Sequence, residues 1–339
     1  MRWVAIDFGR NEIKAAVTSV DGKPMKLLYN NNGRMYSYMP SEGYISNNGR
    51  VYMGMDLPVV GALSPERISE IKNSHERKVL LNKAFENINE AAISHYDDNS
   101  IGAVLLYENI KEDEKNEDSI YSIAKSHFEE VQQKCASEVL TSVLYSNEGT
   151  SVVIDISLSA LQMSLVVKGV KKAYIPSNEL GFKTVDISEI IGYTIPEDIS
   201  DGELYLHGLI LENIRQCLCQ GKVDFALLDV LDIEPANEPV IRNKFEECMT
   251  RYLFRCFDVC TQKLRKQSMS WSDVNNIVLC GSASNYYKMK DGLCRFLKGN
   301  GADTNTIKIT VYDKDAQWAA AFNTLNLPLL EEGGVIVEF

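Results

Sequence analysis

The chain has 339 residues, which is enough for two domains or for one large fold made of two halves. Hydrophobic residues make up 45% and charged residues 24%, an ordinary balance for a globular protein that buries a sizeable core. The formal net charge is −12. A nucleic-acid backbone or an anionic membrane surface is therefore not expected as a partner, since both bind cationic surfaces.

The N-terminal sequence and the cysteines indicate in which cellular compartment the protein is expected. A charge follows the short apolar run Trp3–Ile6, so we expect no secretory signal, and no window approaches the ~20 apolar residues of a membrane helix. We expect a cytoplasmic protein whose eight cysteines are mostly free thiols. Cys217-x-Cys219 and Cys256-x-x-x-Cys260 lack the Cys-x-x-Cys spacing of zinc sites, which favours buried thiols over metal ligands.

Strands and hairpins are predicted at the start of the chain. The apolar runs 3–8 and 13–20 predict two strands, and Asp21-Gly22 is a hairpin turn signal before a third strand at Lys26–Tyr29. Asn47-Asn48-Gly49 predicts a second hairpin. The elements predicted next are a helix from Ser64 to about Asp97, a strand at Gly102–Tyr107 and a pair of helices within Ile120–Tyr145.

The second half of the chain repeats this order of strands and helices. Three strands are predicted at Ser151–Ile156, Met163–Val167 and Val170–Ile175, with Lys168-Gly169 as the turn before the third. The elements predicted after them are helices at 203–219 and 239–267, a buried strand at Asn276–Cys280, a helix from about Tyr287 to Leu297, a strand at Ile307–Val311 and a last helix at Ala316–Leu325.

This repetition predicts a duplicated α/β architecture. Strand, hairpin and strand followed by helices occur once from Val4 and again from Val152, and two such halves bind ligands in the cleft between them. We place the first lobe at 1–149 with 312–325 returning to it, the second lobe at 150–311 and a C-terminal tail at 326–339.

Two acidic residues follow the pattern of a phosphate-binding hairpin. Asp7 stands near the end of the first strand and Gly9 begins the turn after it, and Asp155 has the same place at the start of the second half. Glycine in such a turn lets backbone N–H groups approach a phosphate, while the acid orients a metal-bound water. Read in isolation, this pattern is weak and is more often a plain hairpin that contains an aspartate. A third element, the turn at Gly281-Ser282, suits packing of backbone against a flat base or ribose.

With these motifs in this order, the chain resembles the ATPase domain of DnaK-type chaperones, the seventy-kilodalton heat-shock family of the actin-like and sugar-kinase superfamily. The resemblance spans about residues 3–325. The segments that carry it are Ile6–Gly9, Tyr38–Ser41, Val51–Gly54, Ser64–Lys72, Ile154-Asp155, Leu180-Gly181, Leu211–Cys219, Val278–Ser282 and Asp313–Ala320.

The resemblance implies an actin-like α/β fold that binds ATP or ADP with Mg²⁺, with two lobes of duplicated mixed sheet and helices around a central cleft. The catalytic roles that it implies fall on Asp7, Lys72, Glu138 and Asp155. Asp7 and Asp155 hold Mg²⁺ through water in this assignment. The nucleotide-binding positions that it implies are Gly9, Arg10, Asn11, Ser157, Gly181, Glu212, Arg215, Cys219, Gly281, Ser282 and Asn285. A protein client or co-chaperone is the partner that it implies.

The sequence departs from the family at the phosphate-binding positions. Arg10 and Asn11 replace small hydroxyl residues, and Ser157–Ala160 replaces a run of glycines, so that side chains stand where backbone should approach phosphate. Val139 replaces the proline that follows the acid of the family, and Gln162 replaces its second hairpin acid. These changes speak against efficient turnover.

Three functions stay open from the sequence. The first is a slowly hydrolysing ATPase that switches its lobe angle with nucleotide, and the second is a pseudo-ATPase scaffold that binds a protein partner with little or no nucleotide. A small-molecule kinase of the same superfamily ranks last, because the Pro-Ser strand and the lysine segment resemble the chaperone branch. Asp7 and Asp155 are alternatively structural acids left after nucleotide binding was lost, and Lys72, expected on a polar helix, is alternatively a surface lysine.

Overall fold

The computed structural model describes residues 1–9, 12–31, 34–53, 66–68, 71–107, 118–233, 238–312, 315 and 318–327. The chain divides into two compact units. Unit 1 comprises Met1–Ser146 and Trp318–Phe339, and unit 2 comprises Asn147–Gln317. Each unit has a mixed sheet with helices packed against it, so the chain has the α/β class predicted from the sequence.

The elements are numbered in chain order. The described strands are β1 (Arg2–Phe8), β2 (Glu12–Thr18), β3 (Pro24–Lys26), β4 (Tyr29–Asn31), β5 (Arg34–Tyr36), β6 (Met39–Pro40), β7 (Glu42–Ile45), β8 (Val51–Met53), β9 (Glu66–Arg67), β10 (Ile101–Tyr107), β11 (Glu130–Cys135), β12 (Thr150–Ile156), β13 (Leu161–Val167), β14 (Val170–Ser177), β15 (Asn276–Cys280) and β16 (Lys308–Val311). The described helices are α1 (Ser74–Tyr96), α2 (Ile120–Ala124), α3 (Ala136–Tyr145), α4 (Ile187–Ile191), α5 (Asp201–Cys219), α6 (Phe225–Val230), α7 (Glu238–Lys266), α8 (Met289–Gly299) and α9 (Ala319–Leu325). Short 3₁₀ turns include Phe182–Thr184 and Ser282–Asn285.

The main sheet of unit 1 has the strand order β11-β10-β1-β2-β3, and β6 also pairs with β2. Neighbours among β1, β10 and β11 run parallel, whereas neighbours among β1, β2 and β3 run antiparallel. Apolar side chains bury both faces of this sheet. Phe85 and Ile88 of α1 pack on one face, and Val139 of α3 and Ala321 of α9 pack on the other. Burial on both faces explains why β1 and β10 are nearly continuous apolar runs.

The sheet of unit 2 has the strand order β14-β13-β12-β15-β16. Neighbours among β12, β15 and β16 run parallel, whereas neighbours among β12, β13 and β14 run antiparallel. Helices α5, α7 and α8 contribute the core residues Ile214, Phe245, Phe257 and Leu293. The two sheets therefore share the same strand order and the same strand directions, as the duplicated α/β architecture requires.

The predicted hairpins form where the turn residues stand. Ser19 N–H donates to Lys23 O at 2.8 Å between β2 and β3, and Ser46 N–H donates to Arg50 O at 2.9 Å between β7 and β8. Lys168-Gly169 is the two-residue turn between β13 and β14. All three predictions are confirmed, because Asp-Gly, Asn-Gly and Lys-Gly sequences accept the backbone conformations that tight hairpin turns need.

Strand β11 lies where the sequence predicted part of a pair of helices. That prediction was wrong for Glu130–Cys135, and only α2 and α3 on either side are helical. Val131 and Cys135 are both buried, and their separation of four residues fits one face of a helix as well as alternate positions of a strand. The parallel pairing with β10 supplies the backbone hydrogen bonds and decides for the strand.

Two element boundaries also differ from the prediction. Helix α1 begins at Ser74 rather than Ser64, because the Asn73 side chain caps it by accepting hydrogen bonds from N–H groups of the first turn. Of the early part of the predicted helix, residues 64, 65, 69 and 70 lie outside the described residues, and Glu66–Arg67 forms β9. The single strand predicted at Lys26–Tyr29 contains instead the end of β3 and the start of β4.

The cysteines and the helices bear on two further predictions. All eight cysteines are free thiols, and Cys256 and Cys260 are buried in unit 2. Burial raises the pKa of the Cys256 thiol to about 12, so this sulfur stays protonated and packs as a small apolar group. Among helices in the described ranges, none combines the length and the apolar character that a membrane span requires.

Candidate functional site

One hairpin in each unit closes in the same way. In unit 1, Gly9 N–H donates to Glu12 O at 3.0 Å across the turn between β1 and β2. In unit 2, Ser157 N–H donates to Ala160 O, also at 3.0 Å, across the turn between β12 and β13. Both turns join the first two strands of their sheets, so the same local geometry occurs at the same topological position twice.

An aspartate stands two residues before each of these turns. Asp7 pairs with Lys14 across β1 and β2, and Asp155 pairs with Gln162 across β12 and β13. Both aspartates are partly buried. The predicted positions Arg10 and Asn11, in the turn of the first hairpin, lie outside the described residues.

The first residue of the turn differs between the two hairpins. A Cβ atom at Gly9 would stand 2.8 Å from Glu12 O, closer than real Cβ contacts come, so the first turn requires glycine. The second turn has Ser157, whose Oγ donates to Ala160 O at 3.0 Å. The serine thus adds a second hydrogen bond to the carbonyl that its own N–H already binds.

The second turn also presents two backbone donors. The N–H groups of Leu158 and Ser159 have no hydrogen-bond acceptor among the described residues. Adjacent N–H groups in a tight turn form a small concave site that favours an anion. A phosphate-binding hairpin needs such donors, and this turn presents them without a run of glycines.

Gly181 packs beneath the second turn. A Cβ atom at this position would stand 2.4 Å from the carbonyl carbon of Ser159, and backbone cannot move aside cheaply. Just after it, Phe182 N–H donates to Ser157 O at 2.9 Å and Lys183 N–H donates to Leu158 O at 3.0 Å. The carbonyl side of the turn is therefore fixed to the segment that follows Gly181.

Gly281 lies against the aspartate of the second hairpin. Its strand neighbour Cys280 pairs with Asp155 in the parallel register of β12 and β15. A Cβ atom at Gly281 would stand 2.2 Å from Asp155 Oδ1, and its φ of 86° is a conformation that other residues rarely adopt. The predicted Ser282 and Asn285 begin and end the 3₁₀ turn that follows, and Ser282 is buried.

Arg215 of α5 is bound to backbone of its own unit. Its Nε donates to Glu212 Oε2 at 2.9 Å, and its Nη1 donates to Phe182 O at 2.9 Å and Val185 O at 2.7 Å. The guanidinium carbon lies 5.1 Å from the centre of the Phe182 ring. The side chain is 9% exposed, so Arg215 fixes the 182–185 segment to α5.

Gln216 of α5, which was not a predicted site residue, joins this network to the predicted Asn285. Gln216 Nε2 donates to Glu212 Oε1 at 2.8 Å, and Asn285 Nδ2 donates to Gln216 Oε1 at 3.4 Å. Cys219 is buried, and burial raises the pKa of its thiol. The structure therefore brings together Glu212, Arg215 and Asn285, which were predicted to contact the nucleotide, as polar groups hydrogen-bonded to one another or through Gln216.

In unit 1, the environment of Asp7 favours its neutral form. Burial raises the pKa of the Asp7 carboxyl, and the Lys14 ammonium opposes that shift. Lys14 Nζ lies 3.6 Å from Glu12 Oε2, so the lysine is shared between two acids. A cation such as Mg²⁺ beside Asp7 would favour the ionised carboxylate in the same sense as Lys14 does.

The predicted catalytic residues Lys72 and Glu138 differ in exposure and in secondary structure. Lys72 is exposed in the irregular segment 71–73, so the prediction of a polar helix at this residue was wrong, because the Asn73 cap places the helix start after it. Glu138 is partly buried in the first turn of α3, where its charge faces the favourable end of the helix dipole.

Sequence reasoning did not identify Lys134, a lysine of unit 1 that lies in the same cross-strand row as Asp7. Asp7 pairs with Leu106 of β10, and Leu106 pairs with Lys134 of β11, so the three side chains share one face of the sheet. Lys134 is partly buried, and burial lowers the pKa of its ammonium group. It was missed because 130–135 was predicted to be helical, and a helix would not place Lys134 beside Asp7.

Neither the family models nor the curated proteins that were searched match this chain. Function is therefore inferred from the two hairpins and the groups around them.

The described residues contain no cluster of three or more histidine, cysteine or acidic side chains that is arranged to hold a metal ion. Asp7 and Asp155 are single carboxylates, which suits a magnesium ion that keeps most of its water ligands. Either carboxylate, taken within its own unit, is compatible with a Mg²⁺ ion held through water.

Unit 1 also contains a cavity of about 560 Å³. Its lining combines methionine and tyrosine side chains, such as Met25, Met39 and Tyr29, with Lys83 and His95. None of the residues that line it is among the predicted site residues. The cavity is therefore built from a different part of unit 1 than the Asp7 hairpin.

Proposed function

We propose that this chain is a divergent nucleotide-binding domain of the heat-shock, actin-like type, which binds ATP or ADP with Mg²⁺ and hydrolyses ATP slowly. One observation carries the proposal. The same closed turn follows an aspartate-bearing strand in both units, on two sheets with the same strand order and directions. A duplicated sheet with an acidic hairpin at the same place in each copy is what the resemblance to that family implies.

Phosphate binding is the best-supported part of this function. The N–H groups of Leu158 and Ser159 are available to bind phosphate oxygens, because the carbonyl side of their turn is held by Phe182 and Lys183. Asp7 and Asp155 carry the carboxylates for magnesium-bound water. Bound Mg²⁺ neutralises phosphate charge and assists phosphoryl transfer.

Slow turnover follows from two departures. Ser157 places a side chain at the position where the first hairpin has Gly9, which reduces the room for backbone to approach a phosphate. Burial raises the pKa of Asp7 although the Lys14 ammonium opposes the shift, so a bound metal ion would have to favour the ionised carboxylate further.

A pseudo-ATPase scaffold is the second candidate, and one observation favours it. Arg215, Glu212 and Gln216 are hydrogen-bonded to one another and to carbonyls of Phe182 and Val185, instead of presenting open donors to a nucleoside. If adenosine finds no partners there, the domain binds a protein partner, such as a client or co-chaperone, with little nucleotide.

Calorimetric titration with ADP and with ATP, in the presence of Mg²⁺, tests the proposal. We expect binding in the micromolar range, with Asp155→Ala losing Mg²⁺-dependent hydrolysis in single-turnover assays. Asp258→Asn is the matched control, since this exposed acid of α7 accepts a hydrogen bond from Gln262 on its own helix. No heat and no thermal stabilisation at millimolar nucleotide would reject nucleotide binding and favour the scaffold. Undiminished hydrolysis by Asp155→Ala would reject the role given to this residue.

A further inference from the structure

We propose that Lys134 binds a phosphate group of the nucleotide, a role that the resemblance gives to Lys72. This inference rests on the proposed function and names a further binding residue for it. The two lysines differ in their surroundings. Lys72 is exposed in an irregular segment, whereas Lys134 is partly buried at the end of β11 and shares a sheet face with Asp7.

The strand register sets the distance between Asp7 and Lys134. Leu106 stands between them on β10, so their backbones are separated by two strand spacings, or about 10 Å. Lys14 continues the same row on the other side of Asp7. Side chains at these positions extend from one face of the sheet, the face on which Val139 of α3 and Ala321 of α9 also pack.

The position in the sheet also favours a ligand. Asp7, Leu106 and Lys134 stand near the carboxyl ends of three parallel strands, β1, β10 and β11. Ligands of α/β proteins bind at the carboxyl ends of parallel strands, because loops rather than further strand residues follow there. Lysine is a common phosphate-binding residue, as a point charge with three donors.

Lys134 has no counter-ion among the described residues, in contrast to two paired lysines of unit 1. Lys14 lies 3.6 Å from Glu12, and Lys78 Nζ lies 3.2 Å from Asp118 Oδ1. Burial lowers the pKa of Lys134 without an acid to compensate, so the fold carries a cost for keeping this ammonium ion charged. An anionic ligand would supply the missing partner.

The test measures Lys134→Gln and Lys134→Arg by calorimetry, with Lys78→Gln as the control that removes a lysine paired at the surface. The probes are ATP and inorganic tripolyphosphate, each with Mg²⁺. We expect Lys134→Gln to weaken binding of both probes about tenfold or more, the loss that follows from one charge-assisted hydrogen bond. Lys134→Arg should keep most of the affinity, and Lys78→Gln should keep all of it. Thermal midpoints of the variants show that each one folds.

The possible results distinguish the role of Lys134 from the proposed nucleotide binding. If the wild-type protein binds ATP and Lys134→Gln binds it equally well, the role of Lys134 is wrong and the proposed function stands. If Lys134→Gln loses tripolyphosphate binding but ATP binds no better than tripolyphosphate, Lys134 is supported and adenosine recognition is rejected. If neither probe binds the wild-type protein, both proposals are overturned.

Discussion

A Cβ atom at residue 281 would stand 2.2 Å from Oδ1 of Asp155. Glycine at this position therefore lets the Asp155 carboxylate lie directly against the backbone of the turn after β15. The backbone conformation at Gly281, with φ 86°, independently favours glycine. The placement of the second hairpin acid thus depends on a residue far away in sequence and adjacent in the sheet.

Gly281→Ala tests this dependence. The new methyl group must displace Asp155 or Ile156 backbone, which costs about 1–3 kcal/mol, in addition to about 1 kcal/mol for the left-handed backbone. We expect a lower thermal midpoint and weaker Mg²⁺–ATP binding by calorimetry. Gly192→Ala is the matched control, since its φ is 75° and nothing lies within 4 Å of its missing Cβ. Equal losses in the two variants would show that the contact with Asp155 has no effect.

Asp7→Asn should change how stability depends on pH. The folded-state pKa of Asp7 is raised by burial, with Lys14 opposing, so the neutral carboxyl favours folding. Its stabilising contribution is complete below the ordinary aspartate pKa of about 3.9 and is lost as pH rises to the raised value. The Asn variant should therefore gain stability over wild type as pH increases through that window. Thermal midpoints from pH 4 to pH 8 measure it, and a difference that is constant with pH would contradict the assignment.

Arg215→Ala should be among the more destabilising substitutions in unit 2. It removes hydrogen bonds to two carbonyls and leaves Glu212 without its buried cation, which costs about 3 kcal/mol. Arg242→Ala, which removes an arginine paired with Glu238 one turn away on α7, should cost less than about 1 kcal/mol. Urea unfolding of the two variants compares them. Similar losses would mean that Arg215 does not hold the 182–185 segment.

Ser157→Gly makes the second turn resemble the first. The variant loses the hydrogen bond from Oγ to Ala160 O, so we expect about 1 kcal/mol of destabilisation. If side-chain bulk limits phosphate binding, the same variant should bind Mg²⁺–tripolyphosphate severalfold more tightly. Ser126→Gly, which removes a similar hydrogen bond to Ile123 O in unit 1, should lose stability without gaining affinity. Unchanged affinity in Ser157→Gly would show that the serine does not restrict the turn.

Much of the strand framework was predictable from the sequence, because short apolar runs and turn residues are local signals. The hairpins at Asp21-Gly22 and Lys168-Gly169 and the buried strand β15 are examples. Strand β11 was not predictable by the same means, since Val131 and Cys135 fit both periodicities. Its pairing with β10 is a tertiary interaction that periodicity does not carry.

The sequence predicted which residues belong to the candidate site, but it did not predict which groups they contact. Asp7 and Asp155 follow from the strand-acid-turn pattern, and the structure places each of them before a turn that closes in the same way. No local pattern predicts that Arg215 binds carbonyls of Phe182 and Val185, because these bonds join residues about thirty positions apart. Lys134 was not identified as a site residue because its strand, β11, was predicted to be helical.

Both backbone polar groups of Phe182 are hydrogen-bonded, since its N–H donates to Ser157 O and its carbonyl accepts from Arg215. Its side chain is fully buried as well. The amide hydrogens of Phe182 and Lys183 can exchange with solvent only when the second turn separates from this segment. Deuterium uptake at these two amides therefore measures how often the turn opens, independently of any ligand, and a phosphate that tightens the turn would slow that uptake.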